Sequence, residues 1–502
     1  MSKYLSFLSL FKTKRKEPRY FKMGEFLTIR NISNVPLELK LVEHFDPAPS
    51  DNFSLKNIAM SLASVTNSLG MTNNITRAPV PEISANATPF ASRDVSIPLP
   101  PFTITTTDIH SFIKNPSERL RLTFQTELGG KHQMYCPVPT AETASLVALA
   151  PNPKYRFTGI YLSQHAHVTL YKSSNLDSWM RELPDSTPLG ALSIPGTHNA
   201  PTHYEAAPSV RCQAVSPRTQ LENGVRFFDL RVQVPTPYDP KSDKLILVHS
   251  VFPIALSGPK HFRDLYKDIR AFLDANPSET LICSFKREGT GKGTDEQLGH
   301  ILKDHYTNLT EWFTQPRVPT LGEARGKIVL LRRFNIDDQL KSQWDGKGWG
   351  IDAAVWADNT PSAMCPSGEV CVQDFYQIME PASIDKKIEY ATAQMERSGC
   401  CSYESDAIQA AQQQQGKQFP LYVNFLSGSN FWNVQTWPEK IAEKVNPACV
   451  EFLCLRHMVT DDGKGVKAGD WSTGIIVCDW VGLDGDWDLV RCVVGMNSKL
   501  VQ

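Results

Sequence analysis

Five short apolar runs, each ending in a charged or imidazole side chain, most narrowly limit what this chain can fold into. Leu192–Thr197 runs into His198 and Asn199, and Val225–Phe228 leads to Asp229 and Arg231. Leu245–Val248 ends in His249, Thr280–Phe285 in Lys286, and Ile328–Leu331 in Arg332 and Arg333. Such runs are too short for buried helices and carry no polar alternation, so they read as strands covered on both faces. Strands of that kind belong to parallel sheets wrapped by helices. In a closed parallel barrel their carboxyl ends meet at one face, where such barrels place their active sites.

The intervening segments supply the helices. Phe262, Leu265, Tyr266, Ile269, Phe272 and Leu273 recur at helical spacing until Asn276-Pro277 stops them. Ile384, Ile388 and Met395 mark a second helix. Pro438 opens a third through Ile441 and Val445, at the first-turn position that proline tolerates. Leu421–Phe425 and Gly474–Asp479 read as further strands. No Gly-x-Gly-x-x-Gly or phosphate-loop motif favours a nucleotide-binding open sheet. The expectation is an α/β fold, a distorted (β/α) barrel over residues 173–502 that lacks a helix after its first strand.

Residues 23–172 differ in character. Leu27-Ile29 and Leu37-Leu39-Leu41 alternate with polar neighbours across Asn31–Asn34 and read as a hairpin. Arg119–Gln125 and His167–Tyr171 alternate likewise, which predicts a β-sandwich-like domain. Ser61–Gly70 reads as a short helix inside a Ser/Asn/Pro-rich stretch. Residues 1–22 place a basic cluster after an apolar one, the reverse of a signal peptide. They read either as a disordered tail or as an element touching an anionic membrane surface.

A formal net charge of -1 gives no support for nucleic-acid binding. The eleven cysteines in 502 residues show neither a disulfide framework nor zinc-ligand spacing, so a reducing, cytoplasmic compartment is expected. His165 and His167 lie in an alternating strand with no third ligand evident, and no metal is assigned to them.

The strand-end residues suit phosphoryl chemistry on their own terms. Cleaving a phosphodiester through a neighbouring hydroxyl needs a base, an acid for the leaving alkoxide, and positive charge for the phosphate oxygens. His198 and His249 offer the first two and Arg231 the third. The segments Ser193–His198, Phe228–Arg231, Leu247–His249, Asn276–Thr280 and Gly326–Leu330, in this order, resemble the X domain of phosphatidylinositol-specific phospholipases C. The resemblance is to the bacterial, metal-independent type and extends from about Leu176 to the C-terminus.

That resemblance implies a distorted TIM barrel, with His198 as base, His249 as acid and Arg231 on the phosphate. It implies that Asp479 orients His198 and that Asp229 holds the arginine. It further implies Lys286, Arg333, Asp374, Tyr376 and Trp356 as the inositol pocket. Asn199 stands where the bacterial enzymes usually have aspartate. Arg231 and Lys286 occupy what would be calcium-ligand positions, so calcium independence is expected, with no metal and no cofactor. The implied reaction converts phosphatidylinositol-type membrane lipid to diacylglycerol and inositol 1,2-cyclic phosphate, with peripheral membrane contact. Two alternatives stay open: an inactive inositol-phosphate- or lipid-binding scaffold, or a phosphodiesterase for another glycerophosphodiester or sphingolipid.

Overall fold

The computed structural model describes residues 26–46, 83, 87–114, 118–136, 143–239, 241–402, 419–463 and 465–501. The helix expected at Ser61–Gly70 and the tail 1–22 lie outside these residues. Ten strands form the N-terminal part: β1 (Phe26–Asn31), β2 (Leu37–Phe45), β3 (Ala91–Leu99), β4 (Thr103–His110), β5 (Arg119–Thr126), β6 (Lys131–Cys136), β7 (Thr143–Ser145), β8 (Val147–Ala148), β9 (Phe157–Leu162) and β10 (His167–Lys172). They make two five-stranded sheets, β4-β1-β10-β9-β7 and β3-β2-β5-β6-β8. Leu27 and Ile29 of β1, Leu37 and Leu39 of β2, Leu122 and Phe124 of β5, and Val168 and Leu170 of β10 meet in one apolar core.

The expected hairpin between β1 and β2 is not formed. β1 pairs with β10 and β4, whereas β2 pairs with β3 and β5 in the other sheet. The Asn31 side chain explains the crossing. It accepts from the backbone N–H and hydroxyl of Ser33, and donates to the carbonyls of Val35 and Leu99, which locks a wide turn around buried Ile32. Both strands alternate because both face the shared core, from opposite sides.

The C-terminal part is one curled thirteen-stranded sheet. Its strands are β11 (Ile194–Thr197), β12 (Phe227–Gln233), β13 (Ile246–His249), β14 (Phe252–Pro253), β15 (Lys260–His261), β16 (Leu281–Arg287), β17 (Trp312–Phe313), β18 (Ile328–Arg332), β19 (Ile351–Asp352), β20 (Ala363–Met364), β21 (Val370–Gln373), β22 (Leu421–Phe425) and β23 (Ile475–Cys478). The main path runs β17-β18-β16-β12-β11-β23-β22-β21-β20. From β17 to β21 every pairing along it is parallel. Among the described residues this path is open at both ends rather than a hydrogen-bonded ring.

Alternation along each strand divides the side chains between two cores. Phe227, Ile282 and Val329 join one cluster, while Phe228, Cys283 and Leu330 join another beneath the helices Phe262–Ala275 and Asp295–His305. Close sheet packing fixes Gly196 of β11, because a Cβ there would stand 3.0 Å from the Phe227 side chain. After β11 no long helix follows; residues 198–216 wander as a loop before the six-residue helix Pro217–Glu222. The helices at Ser383–Gly399 and Pro438–Leu455 match their apolar spacing.

One expected arrangement needs correction. β13 does not run parallel with the other strands but folds back antiparallel on β12, opposing Leu247 to Val232. It is the return arm of a ribbon, and its register brings His249 level with Leu230, beside Asp229 and Arg231.

Arg30 joins the two parts. Wholly buried, it donates to the carbonyls of Leu453, Cys454 and His457, at the carboxyl end of helix Pro438–Leu455. The first two are orphaned helix-end acceptors and the third lies just past the cap, all of which a buried cation satisfies well.

Candidate active site

The ends of β11, β12, β13, β16, β18, β21 and β23 bring their polar residues toward one end of the sheet. His198 continues the register of β11, its N–H donating to the Cys478 carbonyl. The Gln213 amide clamps the same place, donating to the carbonyls of His198 (2.7 Å) and Cys478 (3.0 Å). His198 Nδ1 lies 2.9 Å from Asp479 Oδ1. Its Nε2 is 3.9 Å from Asp229 Oδ2, beyond hydrogen-bond reach, and is free to take a proton. Burial, followed by the charge of Arg231, holds His198 well below the ordinary histidine value. The imidazole is therefore neutral at physiological pH, as a base must be.

The His249 ring meets that of His198 edge to face, with centroids 5.6 Å apart. Its Nδ1 is 2.8 Å from the Val210 carbonyl and 3.7 Å from Cys212 Sγ. Burial and Arg231 lower its pKa too.

Asp229 is the buried hub of the charge network. It accepts from Arg231 Nε, Arg333 Nη1 and the Asn199 N–H, each at 3.1 Å. Burial alone would raise this carboxyl, but the two guanidinium groups outweigh it and hold it far below the carboxylate range. Asp229 does not hold Arg231 by itself. Glu288, just past β16, accepts from Arg231 Nη1 (3.1 Å), pairs with Lys286 Nζ (2.8 Å), and accepts from the Ser250 N–H (2.8 Å). One carboxylate thus ties the arginine, a lysine and the turn after His249.

Asn199 adopts a left-handed φ of 41°, which asparagine tolerates better than most residues. Its amide donates to the Val248 carbonyl (3.2 Å), one residue before His249. Aspartate could not make that bond. The departure at this position thus comes with a pin on the β13 ribbon, while Glu288 supplies the second carboxylate for Arg231.

The pocket residues divide in two. Arg333 lies over the Trp356 ring at 3.5 Å and approaches Asp374 Oδ2 at 3.8 Å, so these three meet. Asp374 is buried, which raises its carboxyl. Tyr376 turns its hydroxyl to Asp358 at 2.9 Å instead. Lys286 is the most exposed of the cations here, with 39% of its side chain accessible.

Three residues escaped the sequence reading: two that serve this network, Glu288 and Lys387, and one that only stands beside it, Cys212. Glu288 stands three residues past the apolar run of β16 and could have been found as the acidic residue after Lys286-Arg287. Cys212 and Lys387 left no signal. Lys387 lies on a helix, wholly buried, and donates to Gln373 Oε1 and the Phe375 carbonyl; burial pulls it down to about 7.

Residues 186–334 match the family model for the phosphatidylinositol-specific phospholipase C X domain. The chain is 28% identical over 359 residues to a 1-phosphatidylinositol phosphodiesterase of Staphylococcus aureus, covering 68% of this chain and all of that one. It is 32% identical over 213 residues to the enzyme of the same name from Listeria monocytogenes, covering 40% of this chain and 63% of the relative. A solved phosphatidylinositol-specific phospholipase C from Staphylococcus aureus superimposes with a TM-score of 0.48 at 24% identity, covering 64% of this chain and 98% of that one. Residues 186–334 thus resemble the X domain of phosphatidylinositol-specific phospholipases C, and the chain is similar in sequence to bacterial 1-phosphatidylinositol phosphodiesterases.

Proposed function

We propose that the chain cleaves phosphatidylinositol-type lipids to diacylglycerol and inositol 1,2-cyclic phosphate without a metal. The observation that carries this reading is the facing pair of histidines, both within the field of Arg231. His198 Nε2 takes the proton of the inositol 2-hydroxyl, whose oxygen attacks phosphorus. His249 protonates the departing diacylglycerol oxygen. Arg231, fixed by Asp229 and Glu288, neutralises the charge on the phosphate oxygens. Asp479 holds His198 in its working orientation and stabilises the imidazolium. In the free site His249 is depressed; a bound phosphodiester brings the negative charge that favours its protonated form.

Lys286, Arg333, Asp374, Tyr376 and Trp356 form the polyol side of the site in this reading. The guanidinium groups of Arg231 and Arg333 and the ammonium of Lys286 disfavour calcium, which needs several oxygen ligands. The curled sheet of residues 173–502 is read as a distorted (β/α) barrel, and residues 23–172 as a β-sandwich that braces it through Arg30.

Membrane contact is supported by the apolar surface next to His249. Phe252 stacks on Phe431 with centroids 5.9 Å apart, and Trp432 beside them is 89% exposed. Val251, Leu256 and Val434 are exposed as well. Such a cluster suits peripheral insertion at a lipid surface. Among the described residues no helix is long and apolar enough to cross a membrane. The reading places its action in a reducing, cytoplasmic compartment, on the spacing of the eleven cysteines in the sequence.

The test is cleavage of fluorescent phosphatidylinositol in vesicles by wild type, His198→Ala and His249→Ala. Wild type should release product, and each variant should lose about 10²–10⁴-fold in rate. Equal rates in all three would refute the assignment.

A further inference from the structure

Beside the two histidines lies a residue with no part in the proposed reaction. Cys212 sits in the loop after β11, fully buried, and its backbone is pinned: its N–H donates to Thr202 and its carbonyl accepts from the Trp480 N–H. Its sulfur lies 3.7 Å from His249 Nδ1 and donates to the Val210 carbonyl at 3.5 Å, the carbonyl that Nδ1 also meets. One nitrogen of each imidazole and the Cys212 sulfur all lie within 4.8 Å of one another. Among the described residues this is the one cluster of three such donors that could hold a metal ion.

We propose that His198, Cys212 and His249 form an inhibitory site for a zinc-class ion, which switches the enzyme off by engaging its base and its acid together. The donor set is the first argument. Two imidazoles and a thiolate suit zinc and other soft or borderline transition ions, and they discriminate against calcium and magnesium. Geometry is the second. Tetrahedral zinc, with bonds of about 2.0–2.3 Å, holds its donors about 3.3–3.8 Å apart. The sulfur and His249 Nδ1 stand 3.7 Å apart; to ligate, the imidazole shifts its proton to Nε2 and gives up its bond to the Val210 carbonyl, and the trio, within 4.8 Å, closes by about 1 Å.

The third argument is the surroundings. Asp479 bonds His198 Nδ1, leaving Nε2 for the ion in a carboxylate–histidine–metal arrangement. The buried Asp229 carboxylate, held charged by Arg231 and Arg333, offsets part of the ion's charge. On binding, the thiol releases its proton to solvent and the sulfur–zinc bond takes its place. The fourth position stays open to water or to a phosphate oxygen.

Ion binding stands on this geometry alone, whereas inhibition rests on the proposed function. The experiment separates the two. Full-length protein, freed of metal by chelator and dialysis, is titrated with zinc chloride by calorimetry. It is also titrated with cobalt chloride by absorption, and phosphatidylinositol cleavage is measured at each zinc level. The expected result is one zinc per chain, a near-ultraviolet thiolate-to-cobalt band, and loss of cleavage that excess chelator reverses.

Cys212→Ser should cleave at the wild-type rate without zinc and lack the cobalt band. It should need more than about tenfold more zinc for half inhibition. Cys212→Ala is the second variant should the serine disturb packing. No zinc uptake, a band unchanged in both variants, or equal zinc sensitivity in all three proteins would overturn the proposal. A cobalt–thiolate band in a protein that cleaves no phosphatidylinositol would support the site and refute the function.

Discussion

Replacing Asp229 by asparagine keeps the volume and removes the charge on which two arginines depend. Asp229 is wholly inaccessible and accepts from Arg231, Arg333 and the Asn199 N–H. Breaking a buried ion pair from one side costs about 3–5 kcal/mol, because the partner's charge is left without compensation. Here Arg231 retains Glu288 at 3.1 Å, but Arg333 keeps only Asp374 at 3.8 Å. The loss should therefore fall near the lower end, about 3 kcal/mol. Urea unfolding at neutral pH, followed by tryptophan fluorescence, should show a lower midpoint with an unchanged slope. Adding Arg333→Met should recover part of the loss, a coupling of about 1–3 kcal/mol. A cost below about 1 kcal/mol, or plain additivity of the two changes, would refute the claim that Asp229 is the hub.

The remaining predictions concern pH and the carboxylates around the site. Burial and Arg231 lower both His198 and His249, so the free enzyme's acid loses its proton early as pH rises. The alkaline limb of kcat/KM should then fall at a pKa below about 6.5, and a limb above 7.5 would contradict the assignment. Glu288→Gln should lower kcat by about 10²-fold by freeing Arg231 and the turn after His249, with little loss of stability; an unchanged kcat in steady-state assays would show that Asp229 alone suffices. Glu396 pairs with His457 and Lys467, which overcome the opposing effect of burial and bring it down to about 2. This depressed carboxyl contributes stability that is present above its ordinary value of about 4.3 and lost as pH falls toward 2. Glu396→Gln should cost about 1–3 kcal/mol at pH 7 and flatten acid unfolding over that window. Parallel acid-unfolding curves for the two proteins would contradict it.

The parts of the fold legible in the sequence are those whose signal is local. β12, β16 and β18 each open on an apolar run because both faces are covered there, and helix Phe262–Ala275 shows its buried stripe directly. His198, Arg231 and His249 were legible because each follows such a run. Partnership between strands is a long-range property and was not. The alternation of β1 and β2 fits a hairpin as well as two strands facing one core, and only the Asn31 turn decides. Nothing in Leu245–His249 distinguishes an antiparallel ribbon from a parallel strand. Glu288 and Lys387 act through neighbours distant in sequence, and Cys212 meets His249 the same way: Cys212 and Glu288, which flank His249 and its turn, stand 76 positions apart. Asn199 was visible as a departure, but its reason, the Val248 carbonyl, lies 49 positions away.

The central claim is a metal-free reaction between two histidines, and the product itself tests it most directly. Phosphorus NMR of phosphatidylinositol vesicles incubated with the protein in excess chelator should show inositol 1,2-cyclic phosphate forming at an undiminished rate. Cleavage that appears only when calcium is restored, or a product that is never cyclic, would contradict the account.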